Sequence, residues 1–131
     1  MKLYGIFLVS LLVIVTAFSG CLTGNKNTPA DMLEPRENSD GGIKISVTYL
    51  PEISDGTAFA IGVTAHMDYN DGFENSSYLR DSTGKIYRPV SYEGSRGHHA
   101  AGTLRFPKIE TKGFELVIQD VGDVKERVFK W

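Results

Sequence analysis

Phe59-Ala60-Ile61-Gly62-Val63-Thr64-Ala65-His66-Met67-Asp68 is the stretch on which the fold turns. Phe59, Ile61, Val63, Ala65 and Met67 share one phase, and Ala60, Gly62, Thr64, His66 and Asp68 share the other. Successive side chains of a strand point to opposite faces, so strict alternation predicts a β-strand with one face buried. Upstream, Ile43, Ile45, Val47 and Tyr49 alternate with Lys44, Ser46 and Thr48 until Pro51 stops the pattern. Downstream, Tyr78–Asp81 and Ile86–Tyr92 flank Ser82-Thr83-Gly84, a hairpin turn with glycine where positive φ is needed. Pro89 inside the second of these runs predicts an edge position or a bulge, because proline cannot donate to a ladder. Thr103–Phe106, Phe114–Gln119 and Val124–Trp131 complete the series, the last two joined by a turn at Val121-Gly122-Asp123.

About seven strands therefore fall within the 89 residues from Ile43 to Trp131, with turn signals every 8–12 residues and no helical period. The expected fold is all-β, an immunoglobulin-like antiparallel sandwich. The Cys…Trp…Cys core of antibody domains is absent, since Cys21 is the only cysteine of the chain. Trp131 is expected to pack into the core, and Arg127 to bridge Asp120 or Asp123 across the last hairpin.

The rest of the chain is different in kind. Lys2 is the one charged residue among the first 20, so the 111 that follow hold 13 basic and 16 acidic side chains, a formal charge of −3. That balance gives no basic excess to draw nucleic acid. Lys2 precedes an apolar run from Leu3 to Ala17, short for a membrane span of ~20 apolar residues and suited to a signal peptide helix. Phe18-Ser19-Gly20-Cys21 then resembles the lipobox of prokaryotic lipoproteins, with Phe18 in place of the usual aliphatic residue. The resemblance implies lipidation of Cys21 and a domain held outside the cytoplasmic membrane by two acyl chains, as stable anchoring requires. An uncleaved signal anchor would give the same topology. Leu22–Gly42, rich in Asn, Pro, Gly and charge, reads as a disordered linker with an r.m.s. span of roughly 25 Å. The expected organisation is thus 1–20 signal peptide, 21–42 lipidated cysteine and linker, and 43–131 sandwich.

Candidate chemistry gathers at the three histidines. His66 and Asp68, one residue apart on a strand, would project from one face with Cα atoms about 6.6 Å apart. His98 and His99 lie in the Gly-rich loop Tyr92-Glu93-Gly94-Ser95-Arg96-Gly97-His98-His99-Ala100-Ala101-Gly102, where a bend could bring one or both toward the first pair. Imidazole with carboxylate suits zinc or copper, with bonds of ~2 Å, and such a site would lose affinity as its ligands gain protons. A calcium loop over Asp68, Asn70, Asp71 and Glu74 fails on spacing, because Gly72 comes one position early and Leu79 stands where the last glutamate belongs. The sequon Asn75-Ser76-Ser77 fits a surface loop. No serine lies in a Gly-x-Ser-x-Gly elbow, and Glu93 and Glu126 have no readable partner, so an enzyme is not expected.

The run Gly94-Ser95-Arg96-Gly97-His98-His99-Ala100-Ala101-Gly102-Thr103-Leu104-Arg105-Phe106-Pro107, a histidine near the end of an early strand (His66) and the close Glu126-Arg127-Val128-Phe129-Lys130-Trp131 belong together. On these residues the domain resembles an uncharacterised family of small exported prokaryotic domains, over most of Ile43–Trp131. The resemblance implies the domain boundary and an interest in the three histidines, without implying a reaction. In that pattern the acidic residue lies one position further on than Asp68. The functional expectation is a lipid-anchored extracytoplasmic binding module with a zinc or copper site at His66, Asp68, His98 and His99. The alternative is a metal-free structural or protein-interaction module of a cell-envelope assembly, using strand edges or the aromatic residues Tyr69, Phe73 and Tyr92.

Overall fold

The computed structural model describes residues 29–131. The expected signal peptide, Cys21 and the linker as far as residue 28 lie outside the described residues.

Two antiparallel sheets enclose the apolar phases of the alternation. The five-stranded sheet runs β1 (Arg36–Asn38), β2 (Ile43–Tyr49), β3 (Thr57–Ala65), β7 (Ala101–Phe106), β6 (Ser91–Gly94) in spatial order. The four-stranded sheet runs β5 (Ile86–Tyr87), β4 (Ser77–Asp81), β8 (Phe114–Val121), β9 (Val124–Lys130). With β2, β3, β7 and β6 as strands A, B, E and D, and β4, β8 and β9 as C, F and G, this is the immunoglobulin-like order. Ile43, Ile45, Val47, Phe59, Ile61 and Val63 of one sheet meet Leu79, Leu116, Ile118 and Phe129 of the other, all buried. One helical turn, α1 (Phe73–Ser76), plugs the gap between β3 and β4 with a fully buried Phe73.

The expected seven strands become nine for two reasons. Pro89 cuts the run Ile86–Tyr92 in two. The first half, β5, pairs with β4 in one sheet, and the second, β6, pairs with β7 in the other. A residue without an N–H sits where the chain crosses between sheets, so both halves are edge strands. The second addition is β1, which lies inside the stretch expected to be linker. Arg36, Glu37 and Asn38 pair with Val47, Ser46 and Ile45, so the ordered domain begins before Ile43.

No local periodicity orders that segment. A buried cation does. Arg127 on β9 is 1% exposed, its guanidinium donating to the Asn38 side-chain oxygen, to Asp40 O at 2.8 Å, to Ile43 O at 3.2 Å and to Val121 O at 3.1 Å. The expected surface bridge to Asp120 or Asp123 is thereby replaced by a buried clamp. Burial lowers the Arg127 pKa, with Asp40 acting in the opposite sense. A buried charge must be hydrogen-bonded to be tolerated, and here two of the four acceptors, Asn38 and Asp40, come from the stretch expected to be linker. Gly41 permits the approach: its φ is 63°, and a Cβ there would stand 3.0 Å from Val124 Cγ2.

The register gives the sandwich two distinct ends. β3 starts beside Phe106 and finishes beside Ile43, nine residues and about 26 Å apart. At the finish stand the connections 39–42, 66–72, 95–100 and 122–123, forming the loop end. At the start stand 50–56, 82–85, 107–113, the entry at Pro29 and Trp131, forming the base. Trp131 packs as expected, 5.1 Å from Phe59 and stacked 5.7 Å from Phe114, and its backbone N–H donates to Phe114 O. The lateral edges are short: three residues in β1, four in β6 and two in β5. β9 is longer at seven residues, but its outer side meets β1, where Arg36 Nε donates to Lys130 O at 3.1 Å.

Candidate functional site

β3 ends at Ala65, because its partner β2 begins opposite, at Ile43, and nothing pairs with the residues beyond. The last rung is the Ala65 N–H donating to His98 O at 2.8 Å. His66 and Met67 are therefore a bend, and the expected strand geometry of His66 and Asp68 does not hold.

The two histidine-bearing segments do meet, through other residues. The Tyr69 hydroxyl donates to Gly97 O at 2.6 Å, and the Gly97 N–H donates to Asp71 Oδ2 at 3.0 Å. Arg96 donates to Asp71 O at 2.6 Å and to Glu74 Oε1 at 2.9 Å, its guanidinium lying 5.0 Å from the centre of the Tyr92 ring. Below them Phe73 lies 6.4 Å from Tyr69 and 5.2 Å from Tyr92, ring centre to ring centre. Desolvation first, then the charge of Asp71, pushes the Tyr69 pKa up to about 12. The hydrogen bond from Arg96 holds Glu74 below the usual carboxylate range. The loop returns to β7 through a close backbone contact: a Cβ on Gly94 would stand 2.3 Å from Gly102 Cα. These residues act as a latch that fixes the 66–72 and 95–100 segments against each other.

Above the latch, His98 Nε2 lies 3.1 Å from Asp68 Oδ1, with both side chains exposed. His66 and His99 do not join them. His99 instead lines a shallow hollow of about 400 Å3 on the outer face of the five-stranded sheet, with Lys44, Ser46 and Thr64. Among the described residues, no three His, Cys, Asp or Glu side chains are grouped so as to hold a metal ion. The expected convergence of His66, Asp68, His98 and His99 thus reduces to one pair. The turn at His98–His99 sends the adjacent imidazoles to different surfaces, which is the physical reason.

The aromatic residues proposed as contacts are also placed otherwise. Phe73 is fully buried and Tyr69 and Tyr92 are half-buried, engaged in the latch. What the loop end exposes is His66, Met67, Asp68 and His98, together with Asp40, Asp120 and Asp123. Sequence reasoning missed Asp71 and Arg96 as the organising residues; an arginine inside a glycine-rich loop was the signal.

No family model matches the chain, and no curated protein does. Among solved structures, the crystal structure of a DUF4426 family protein from Pseudomonas aeruginosa PAO1 is similar at 10% sequence identity and a TM-score of 0.45. The similarity covers 73% of this chain and 92% of that one.

Proposed function

We propose that the chain is a lipid-anchored, extracytoplasmic binding module that presents its loop end to a protein of the cell envelope. One observation carries the reading. The chain enters the domain at the base, where Pro29 lies with Trp131, while the latched loops occupy the opposite end, about 26 Å away along β3. A tether leaving from the base aims the loop end away from the lipid. The latch supplies what a recognition surface needs, loops ordered before the partner arrives, which lowers the entropy cost of association. The exposed aspartates favour a partner with a basic surface. Strand-edge addition is the weaker mode, because the free edges are only two to four residues long.

The test is photo-crosslinking in the native envelope, with the reactive side chain at Asp68 or His98 of the full-length chain and, as a control, at Thr103 on the sheet face. Discrete adducts from the loop positions alone are expected. Equal yields at Thr103, or none anywhere, overturn the proposal. Cys21→Ser should move the protein from the membrane fraction to the soluble fraction; unchanged partition would remove lipidation from the reading.

A transition-metal role keeps one observation on its side, the 3.1 Å contact of His98 with Asp68. Two ligands are half of a closed zinc shell. Titration of the full-length chain with zinc and copper decides it: stoichiometric heat abolished by a His66→Ala, His98→Ala, His99→Ala variant would restore a metal site formed by loop rearrangement.

A further inference from the structure

The base of the sandwich carries a surface that the loop-end reading leaves unused. Pro29, Met32, Tyr49, Phe114 and Trp131 give a largely apolar lining to a hollow of about 500 Å3, which Asp31, Thr111 and Lys112 complete. Leu33, 45% exposed, stands beside its entry, and Val90, 69% exposed, stands at the same end, where its N–H donates to Arg105 O at the base of β7. Arg36 covers the Trp131 ring at 5.6 Å. Aromatic rings, aliphatic side chains and lysine or arginine on one face are the composition that settles at the boundary between lipid headgroups and acyl chains.

We infer that this base rests on the bilayer surface, with the hollow around Trp131 facing the headgroups. The inference rests on the anchored reading above and names the membrane itself as a second contact of the domain. Chain length argues for this occupant. Only seven residues, Leu22 to Thr28, separate Cys21 from Pro29, a fully extended reach of roughly 28 Å including the terminal links. The hollow is lined by Pro29 itself, so any lipid on Cys21 keeps this face within roughly 28 Å of the surface, close enough to touch it. Docking would hold the loop end upright instead of letting it tumble on its leash.

Trp131 is the only tryptophan in the chain and therefore reports on the hollow directly. The experiment uses the full lipidated chain in vesicles of phosphatidylethanolamine and phosphatidylglycerol, with a spin label on the lipid headgroup. Trp131 emission is expected to shift to shorter wavelength and to fall roughly twofold with the labelled lipid, as for an interfacial ring. Leu33→Asp and Val90→Asp, both exposed, should reduce that quenching with the melting temperature unchanged. Protein that sediments with the vesicles but whose Trp131 is quenched only by aqueous acrylamide overturns the docking and leaves the tether standing. Shielding from both quenchers would place a protein surface, such as a second copy, over the hollow and also overturns it. Protein that fails to sediment overturns the anchored reading, and the docking with it.

Discussion

The two ends of the sandwich are built by different physics. At the base, Phe59 touches Tyr49, Phe106, Phe114 and Trp131 with ring centres 5.1–6.0 Å apart, and cohesion comes from apolar area removed from water. At the loop end, Tyr69, Asp71 and Arg96 hold two segments by hydrogen bonds near the surface, where water competes for each one. Burial is strong and indifferent to direction; the latch is weak bond by bond but fixes angles. The first keeps the domain folded, and the second gives a surface one shape to offer.

The largest expected effect is therefore at the base. Phe59→Ala should cost about 3–5 kcal/mol in chemical denaturation, the range for emptying a buried aromatic site. A loss below 1 kcal/mol would break the contrast. Arg127→Ala should follow closely, at about 3 kcal/mol, because it empties a buried site and takes a donor from the buried Ile43 and Val121 carbonyls and the part-buried Asn38 and Asp40 oxygens. Hydrogen exchange should show β1 opening in that variant before the rest of its sheet.

Asp71→Ala should cost only about 1 kcal/mol, the value of a single intramolecular hydrogen bond, while exchange of the Gly97 amide accelerates strongly. Arg96→Ala is expected to fall below 1 kcal/mol, since the Arg96–Glu74 pair is over a third exposed on each side. A pH titration sharpens the comparison further. Tyr69 has its folded pKa raised from 10.0 to about 12, so its contribution to stability is complete below pH 10 and disappears as pH climbs toward 12. Ionisation also removes the proton donated to Gly97 O. Tyr69→Phe should flatten the stability decline over that window; an unchanged decline would take Tyr69 out of the latch.

The strands were legible because a half-buried strand writes its geometry into a two-residue period, as Ile43–Tyr49 and Phe59–Ala65 do. β1 was illegible because the residue that orders it, Arg127, lies some 90 positions away, and Arg36-Glu37-Asn38 has no pattern of its own. The crossing at Pro89 was half legible: the proline marked an edge, while the change of sheet depends on packing. At the site, the sequence identified the two segments that meet and one contact between them, Asp68 with His98, but not the Tyr69, Asp71 and Arg96 bonds that hold them together. The pairing of His66 with Asp68 assumed that β3 continues to Met67, whereas the extent of a strand depends on where its partner begins.

Under the proposed anchoring, the short lateral edges of the sandwich acquire a role, because proteins tethered to a membrane meet sideways. Molecules confined to a membrane plane collide flank to flank at high surface density, and a long unsatisfied strand would invite backbone pairing from one neighbour to the next. Here three of the flanking strands offer two to four residues, and the seven-residue fourth is already met by Arg36 and its own chain. On the anchored reading, dense packing in two dimensions would therefore proceed without polymerisation into ribbons.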